Sequence, residues 1–298
     1  MSGGSPYNSH PASSNQADDF IEIAAPQLPP ELEYEIFTIA YHQDPDSRLN
    51  LLLVSKRVYE WLIPVICKIM VIARFPKANH PPPEIFKKYG HHVKHILFSD
   101  PRTFTYPVDE GEILELCPNV FNLVLWFSTT TPAEVFNLRL ERLTLQPFSD
   151  KFEDEMQRLR KTDEEKYCKW SKSITHIAWP SIKLVGCELL SSFPNLTHFL
   201  IGDWNLDVPR IVEYMVKWCG GLEVLVVLMG KMPIPDTAGS YVHDSLDGAV
   251  FEDSRVVVVE RYYVLDWVEG ARGGDDLWKV AERTVNERRG RMRASESL

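Results

Sequence analysis

Six times between residues 93 and 227 the chain repeats one apolar pattern: an apolar residue, two variable ones, then two apolar residues separated by a single position. The copies are Val93…Ile96-Leu-Phe98, Val120…Leu123-Val-Leu125, Leu140…Leu143-Thr-Leu145, Ile174…Ile177-Ala-Trp179, Leu196…Phe199-Leu-Ile201 and Leu222…Leu225-Val-Val227. Alternation at the end of each copy is the signature of a short strand with one face buried. The copies begin at 93, 120, 140, 174, 196 and 222, so the steps are 27, 20, 34, 22 and 26 residues. The step of 34 holds a charged insert, Asp150 to Lys172. Cys117-Pro118-Asn119 and Phe193-Pro194-Asn195 lead into two copies, and Gly220-Gly221 into a third. Pro and Gly at such places stop a helix and turn the chain into a strand.

Between the copies the pattern becomes helical. Asp109-x-x-Glu112 precedes Ile113 and Leu114, and Thr131-Pro132-Ala133-Glu134 precedes Val135 and Phe136; both read as capping boxes. Ile211, Val212, Met215 and Val216 form another apolar stripe. Strand, turn, helix and turn at steps mostly of 20–29 residues predict an irregular leucine-rich-repeat-like solenoid over 73–286, its strands lining one concave face. The competing reading is an irregular α/β domain that shares local patterns. In an array, the residues between the buried strand positions face the concave side. Asn122, Trp126, Arg142, His176 and His198 are the types that recognise partners, and they are the expected substrate-binding residues. Val256 to Val259 reads as a last strand, and the helix carrying Leu277, Val280, Ala281 and Val285 as a cap over the open end of the array.

Ahead of the array, residues 26–72 form a compact apolar block. Pro29 and Pro30 open a helix with Leu32, Ile36, Phe37 and Ile39; Leu49 to Leu53 make a second. Ser55 is an N-cap for a third, bearing Val58, Trp61 and Leu62, which Pro64 is expected to kink or end. Lys68 to Ile72 then reads as a strand. Three short helices make a thin core that leans on a neighbour or a partner. Residues 1–25, rich in Ser, Pro and Asn, are expected to be a disordered tail, and residues 287–298, with Arg288, Arg289, Arg291 and Arg293, a basic one.

Leu28-Pro29-Pro30-Glu31-Leu32, Ile36-Phe37, and then Leu51-Leu52-Leu53-Val54-Ser55-Lys56 with Val58, Trp61 and Pro64 resemble an F-box. The resemblance covers about 45 residues, and the whole chain is similar to F-box-like proteins of mushroom-forming fungi, including the closing Asp266 to Trp278. The expected fold is therefore α/β: a small all-α three-helix F-box followed by the irregular leucine-rich-repeat-like solenoid. The resemblance implies that Leu28, Pro29, Leu32, Ile36, Val54, Ser55 and Trp61 meet the Skp-type adaptor of an SCF-type (cullin-RING) ubiquitin ligase. It further implies that the repeat domain holds a protein substrate, the chain being a monomer within a hetero-complex. The alternative is an F-box-like interaction scaffold outside any ubiquitin ligase.

Other functions find little footing. With 32 Lys plus Arg against 42 Asp plus Glu, the net charge is −10, which disfavours nucleic-acid binding. No apolar run is long enough to span a membrane, and no charged head followed by an apolar run marks a secretory leader. The five cysteines, Cys67, Cys117, Cys168, Cys187 and Cys219, are far apart in sequence, and they read as reduced thiols of a cytoplasmic or nuclear protein. No GxSxG, HExxH, GxxxxGK[ST] or GxGxxG motif is present, so no catalytic residue, cofactor or enzymatic activity is expected. His91-His92-x-x-His95 has the residue type of a metal cluster but no acidic or thiol neighbour, and no metal site is expected. Asp236, Asp244 and Asp247 lack calcium-loop spacing. The run Arg158 to Lys172 reads as a solvated helix.

Overall fold

The computed structural model describes residues 28–44, 47–72, 83–99, 109–126, 133–145, 150–202, 208–229, 253–260 and 263–296. The segment expected as a disordered N-terminal tail and the loop carrying Asp236, Asp244 and Asp247 lie outside them.

The chain opens with α1 (Pro30–Gln43), α2 (Arg48–Leu51) and α3 (Lys56–Cys67). Pro30 stands at the first helical position of α1, where a missing N–H costs nothing. Ser55 caps α3, its hydroxyl accepting from the N–H of Val58 at 3.2 Å. Pro64 does not end α3, which continues to Cys67, and Leu62 and Cys67, on either side of that proline, are both buried.

Eight strands follow: β1 (Ile69–Ile72), β2 (His95–Ser99), β3 (Asn122–Trp126), β4 (Arg142–Leu145), β5 (His176–Ala178), β6 (His198–Gly202), β7 (Val224–Met229) and β8 (Val256–Glu260). They form one sheet in chain order, and every neighbouring pair is parallel. Between them run α4 (Pro83–Tyr89), α5 (Glu110–Leu116), α6 (Asp150–Thr162), α7 (Glu164–Ser173), α8 (Leu184–Leu190) and α9 (Val208–Trp218). Asp109 caps α5, accepting from Gly111 and Glu112 N–H at 2.9 and 3.3 Å. The segment after Pro132 forms only a short 3-10 turn, Ala133–Asn137.

The charged insert is not one solvated helix. It breaks at Asp163, which caps α7 through Lys166 N–H, and it buries Phe152, Met156, Tyr167 and Trp170. These aromatics interlock edge to face with Phe136, Trp179 and Phe193. Together with Ile96, Leu123, Leu143, Ile177, Phe199, Leu225 and Val256 they make the main core, on one face of the sheet.

The other face is also covered, by α10 (Tyr263–Ala271) and α11 (Leu277–Glu296). Tyr263, Trp267, Leu277, Trp278, Ala281 and Val285 pack on Leu97, Val124, Ala178, Leu200, Val226 and Val257. Fully burying a large apolar side chain contributes about 1.5–3 kcal/mol, so this second core is a major part of stability. Gly273 makes the turn between the two helices at φ +94°, a conformation that side chains with a Cβ resist. Lys279 Nζ then donates to the carbonyls of Gly273 and Gly274 at 3.0 and 2.7 Å.

The expected fold is corrected here. The fold is not a small all-α F-box followed by an irregular leucine-rich-repeat-like solenoid. It is an α/β assembly built on a single eight-stranded, all-parallel sheet with helices on both faces. The three opening helices are not set apart from that sheet, because α3 leads directly into β1, whose residues pair with β2. α11 does not cap an open end: it lies along a face of the sheet. The residues expected as a basic tail continue α11 to Glu296, with Arg288 donating to Val256 O at 2.6 Å. Among the described residues, no helix is long and apolar enough to cross a membrane.

Candidate functional site: a buried polar row under the C-terminal helices

Strand register places His95, Asn122, Arg142, His176 and His198 side by side across β2 to β6. Parallel strands in register put such residues on one face, so the five side chains form a polar row across an otherwise apolar sheet. Trp126, the fifth expected substrate-binding residue, stands outside the row at the end of β3, in register with Ser99.

Most of the row is withdrawn from solvent, with Arg142 and His176 partly exposed. His95, Asn122 and His198 are only 7%, 4% and 5% exposed, because α10 and α11 lie over them. As an open face for a protein substrate, the set Asn122, Arg142, His176 and His198 is therefore corrected: these residues face their own chain.

Their partners account for most of the buried polar atoms. Trp267 Nε1, which can only donate, reaches Asn122 Oδ1 at 2.9 Å. That turns the Asn122 amide nitrogen toward His95 Nδ1 at 3.3 Å, where the ring nitrogen accepts. Arg142 Nη1 donates to Asp276 Oδ2 at 2.7 Å, while Asp276 Oδ1 accepts from Lys279 N–H at 2.9 Å. One carboxylate thus caps α11 and binds it to β4. Asp266, on α10, accepts from Leu277 N–H at 2.6 Å. Thr144 and Tyr263 share a buried hydrogen bond between their hydroxyls, and burial raises the Tyr263 phenol above its usual range. His176 and His198 stack at 4.0 Å with 10° between their planes, and the Trp278 ring meets both edge to face at 5.3 and 5.7 Å.

The electrostatics follow from enclosure. Burial, with Lys68, Arg142 and Lys94 nearby, lowers His95 to about 4. Burial, then His198 and Arg142, lowers His176 to about 2. Burial lowers His198 to about 4, against the opposing pull of Glu223 and Asp276. All three rings are neutral at pH 7. Beside Arg142 and Asp276 the row leaves a space of about 10 Å³, room for a single water and not for a metabolite.

The remaining expected positions lie elsewhere. Leu28, Pro29, Leu32, Ile36 and Val54 are exposed on the opening helices. Ser55 is also exposed but uses its hydroxyl to cap α3. Trp61 is half-buried, edge-on to Tyr34 at 6.0 Å and under the Arg57 guanidinium at 5.1 Å. His91 and His92 lie in a 3-10 turn, while His95 turns inward against Phe121 and Trp267. Cys67, Cys117, Cys187 and Cys219 are buried free thiols; burial pushes Cys117 up to about 12 and Cys219 to about 11.

Among the described residues, one group brings three metal-ligand atoms together: His176, His198 and Glu282, all within 4.8 Å of one another. The strand pattern marked both histidines. Glu282 was not found, because it comes from α11, 84 residues after His198 in the sequence, and only the packing of that helix brings it near. Neither a protein-family model nor a curated protein matches the chain.

Proposed function

We propose that this chain is a non-catalytic docking protein whose opening helices seat on the Skp-type adaptor of an SCF-type ubiquitin ligase, the rest of the chain holding a protein to be modified. The observation that carries this reading is the state of α1. It bears Leu32, Ile36 and Ile39, yet none of its residues is buried. Leu49 and Leu53 beside it are 76% and 83% exposed. Leu28 and Val54, at the ends of the same block, are exposed as well. Apolar surface concentrated like this marks a protein-interaction site, and the residues coincide with those that resemble an F-box. Ubiquitin transfer would be accelerated by proximity, through effective concentration, with no side chain of this chain taking part in the chemistry. The place of action would be cytoplasm or nucleus.

A second reading is an interaction scaffold outside any ligase. The covered polar row favours it, since the face expected to hold cargo is occupied by α10 and α11.

The test is a pull-down with purified adaptor. Wild type binds, while Leu32→Asp with Ile36→Asp, which alters exposed positions alone, loses binding and keeps its melting temperature. The Leu28→Asp, Trp61→Ala pair loses binding as well. A wild-type chain that captures no adaptor ends the ligase reading and is the outcome expected of the scaffold.

A further inference from the structure

His176 and His198 occupy equivalent places on adjacent strands, and each is preceded by a threonine. His176 Nδ1 lies 2.8 Å from Thr175 Oγ1, and His198 Nδ1 lies 2.8 Å from Thr197 Oγ1. Each hydroxyl also lies 3.2 Å from a backbone carbonyl, Thr175 from Glu141 O and Thr197 from Thr175 O. With the hydroxyl hydrogens on those carbonyls the hydroxyls accept from the rings, both Nδ1 atoms carry the proton and both Nε2 atoms present lone pairs, the tautomer that a ligating imidazole needs.

Among the described residues those lone pairs have no donor to receive from. The two Nε2 atoms are buried and, among the described residues, make no hydrogen bond. His198 Nε2 is 3.0 Å from Glu282 Oε1. In the tautomer with its proton on Nδ1, that approach sets a lone pair against a carboxylate, and a positive centre shared by both makes it favourable. Leaving such groups buried and unpaired is costly.

We propose that His176 Nε2, His198 Nε2 and Glu282 Oε1 form a site for one divalent transition-metal ion, with zinc the best match, which fastens α11 to β5 and β6. The donors are neutral imidazoles and a carboxylate, the set that zinc, cobalt and nickel favour over magnesium or calcium. A donor pair 3.0 Å apart can share an ion at bond lengths of about 2.0–2.1 Å. The threonine hydroxyls are the outer partners that hold ligating imidazoles in the required tautomer. Arg142, whose charge opposes a cation here, is paired with Asp276. The Glu282 side chain is 43% exposed, so an ion has a path from solvent and a water can complete the coordination. Because an imidazole lone pair lies in its ring plane and the two planes are 10° from parallel, loading tilts the His176 ring toward the ion and breaks the stack.

The test titrates the full chain, stripped with chelator, with Co²⁺ and then Zn²⁺. One Co²⁺ per chain is expected, with visible bands of a low-coordinate nitrogen and oxygen site, no thiolate charge-transfer band, displacement by Zn²⁺ and a raised melting temperature. Glu282→Gln, a change at a partly exposed helix position, should melt like wild type without metal and bind Co²⁺ at least about tenfold more weakly. Controls with Cys168→Ser, or with His91→Ala and His92→Ala, should bind like wild type. Failure to bind Co²⁺, a thiolate band, or undiminished binding by folded Glu282→Gln would overturn the proposal.

Discussion

The two ends of the described chain carry helices of opposite fate. α1, at the start, exposes Leu32, Ile36 and Ile39 and buries nothing. α11, far more polar by composition, buries Leu277, Trp278, Ala281 and Val285 and lays charged and aromatic groups against the sheet. Composition alone would have ranked them the other way. What separates them is the surface available: α11 meets a face with matching apolar rows and a polar row that answers Asp276, Trp278 and Glu282, whereas α1 meets mainly α2 and α3. Apolar area left uncovered in one place, and polar groups enclosed in another, mark where the chain deals with other molecules and where it deals with itself.

The contrast is most sharply tested by substitution. Trp267→Ala should cost about 3–5 kcal/mol, since it removes a large buried ring and leaves Asn122 Oδ1 without its donor. Denaturant unfolding would read it, and a cost under about 1 kcal/mol would mean that α10 is only loosely seated. A smaller effect is expected from acid. An unfolded imidazole takes its proton near 6.5, whereas His95 in place stays neutral to about 4. Between those values the unfolded chain binds the extra proton, so stability falls as the pH drops through that window. The melting temperature should decline from pH 6.5 downward, and less steeply in His95→Gln, which keeps an acceptor for the Asn122 amide. An identical slope in the variant would show that His95 is not one of the groups responsible. The smallest effect belongs to Ile36→Ser, which should change stability by no more than about 0.5 kcal/mol. A larger loss would mean that α1 is held by its own chain after all.

Much of the sheet could be read from spacing. Ile96 with Phe98, Leu123 with Leu125, and Phe199 with Ile201 alternate because one side of each strand must enter a core, and all six are buried there. The residues between them were also placed on the correct common face. What covers that face was missed, because α11 shows an apolar stripe that fits the end of a sheet as well as its side, and sequence spacing holds no distance between Glu282 and His198. A signal was nevertheless present. Leu225 to Leu228 and Val256 to Val259 are apolar at every position, and a strand apolar on both sides is a strand with both sides covered. The insert misled for the opposite reason: its many charges hid Phe152, Tyr167 and Trp170, which recur at helical spacing on the inner sides of α6 and α7.

The covering helices have a consequence for how the molecule is made. Residues 263–296 leave the ribosome after every strand of the sheet, so for several seconds at ordinary synthesis rates the nascent sheet stands half-dressed, with Leu97, Val124, Leu200 and Val257 facing water. A chain whose translation stopped before Trp267 would stay permanently in that state, and quality-control chaperones would be its natural first companions.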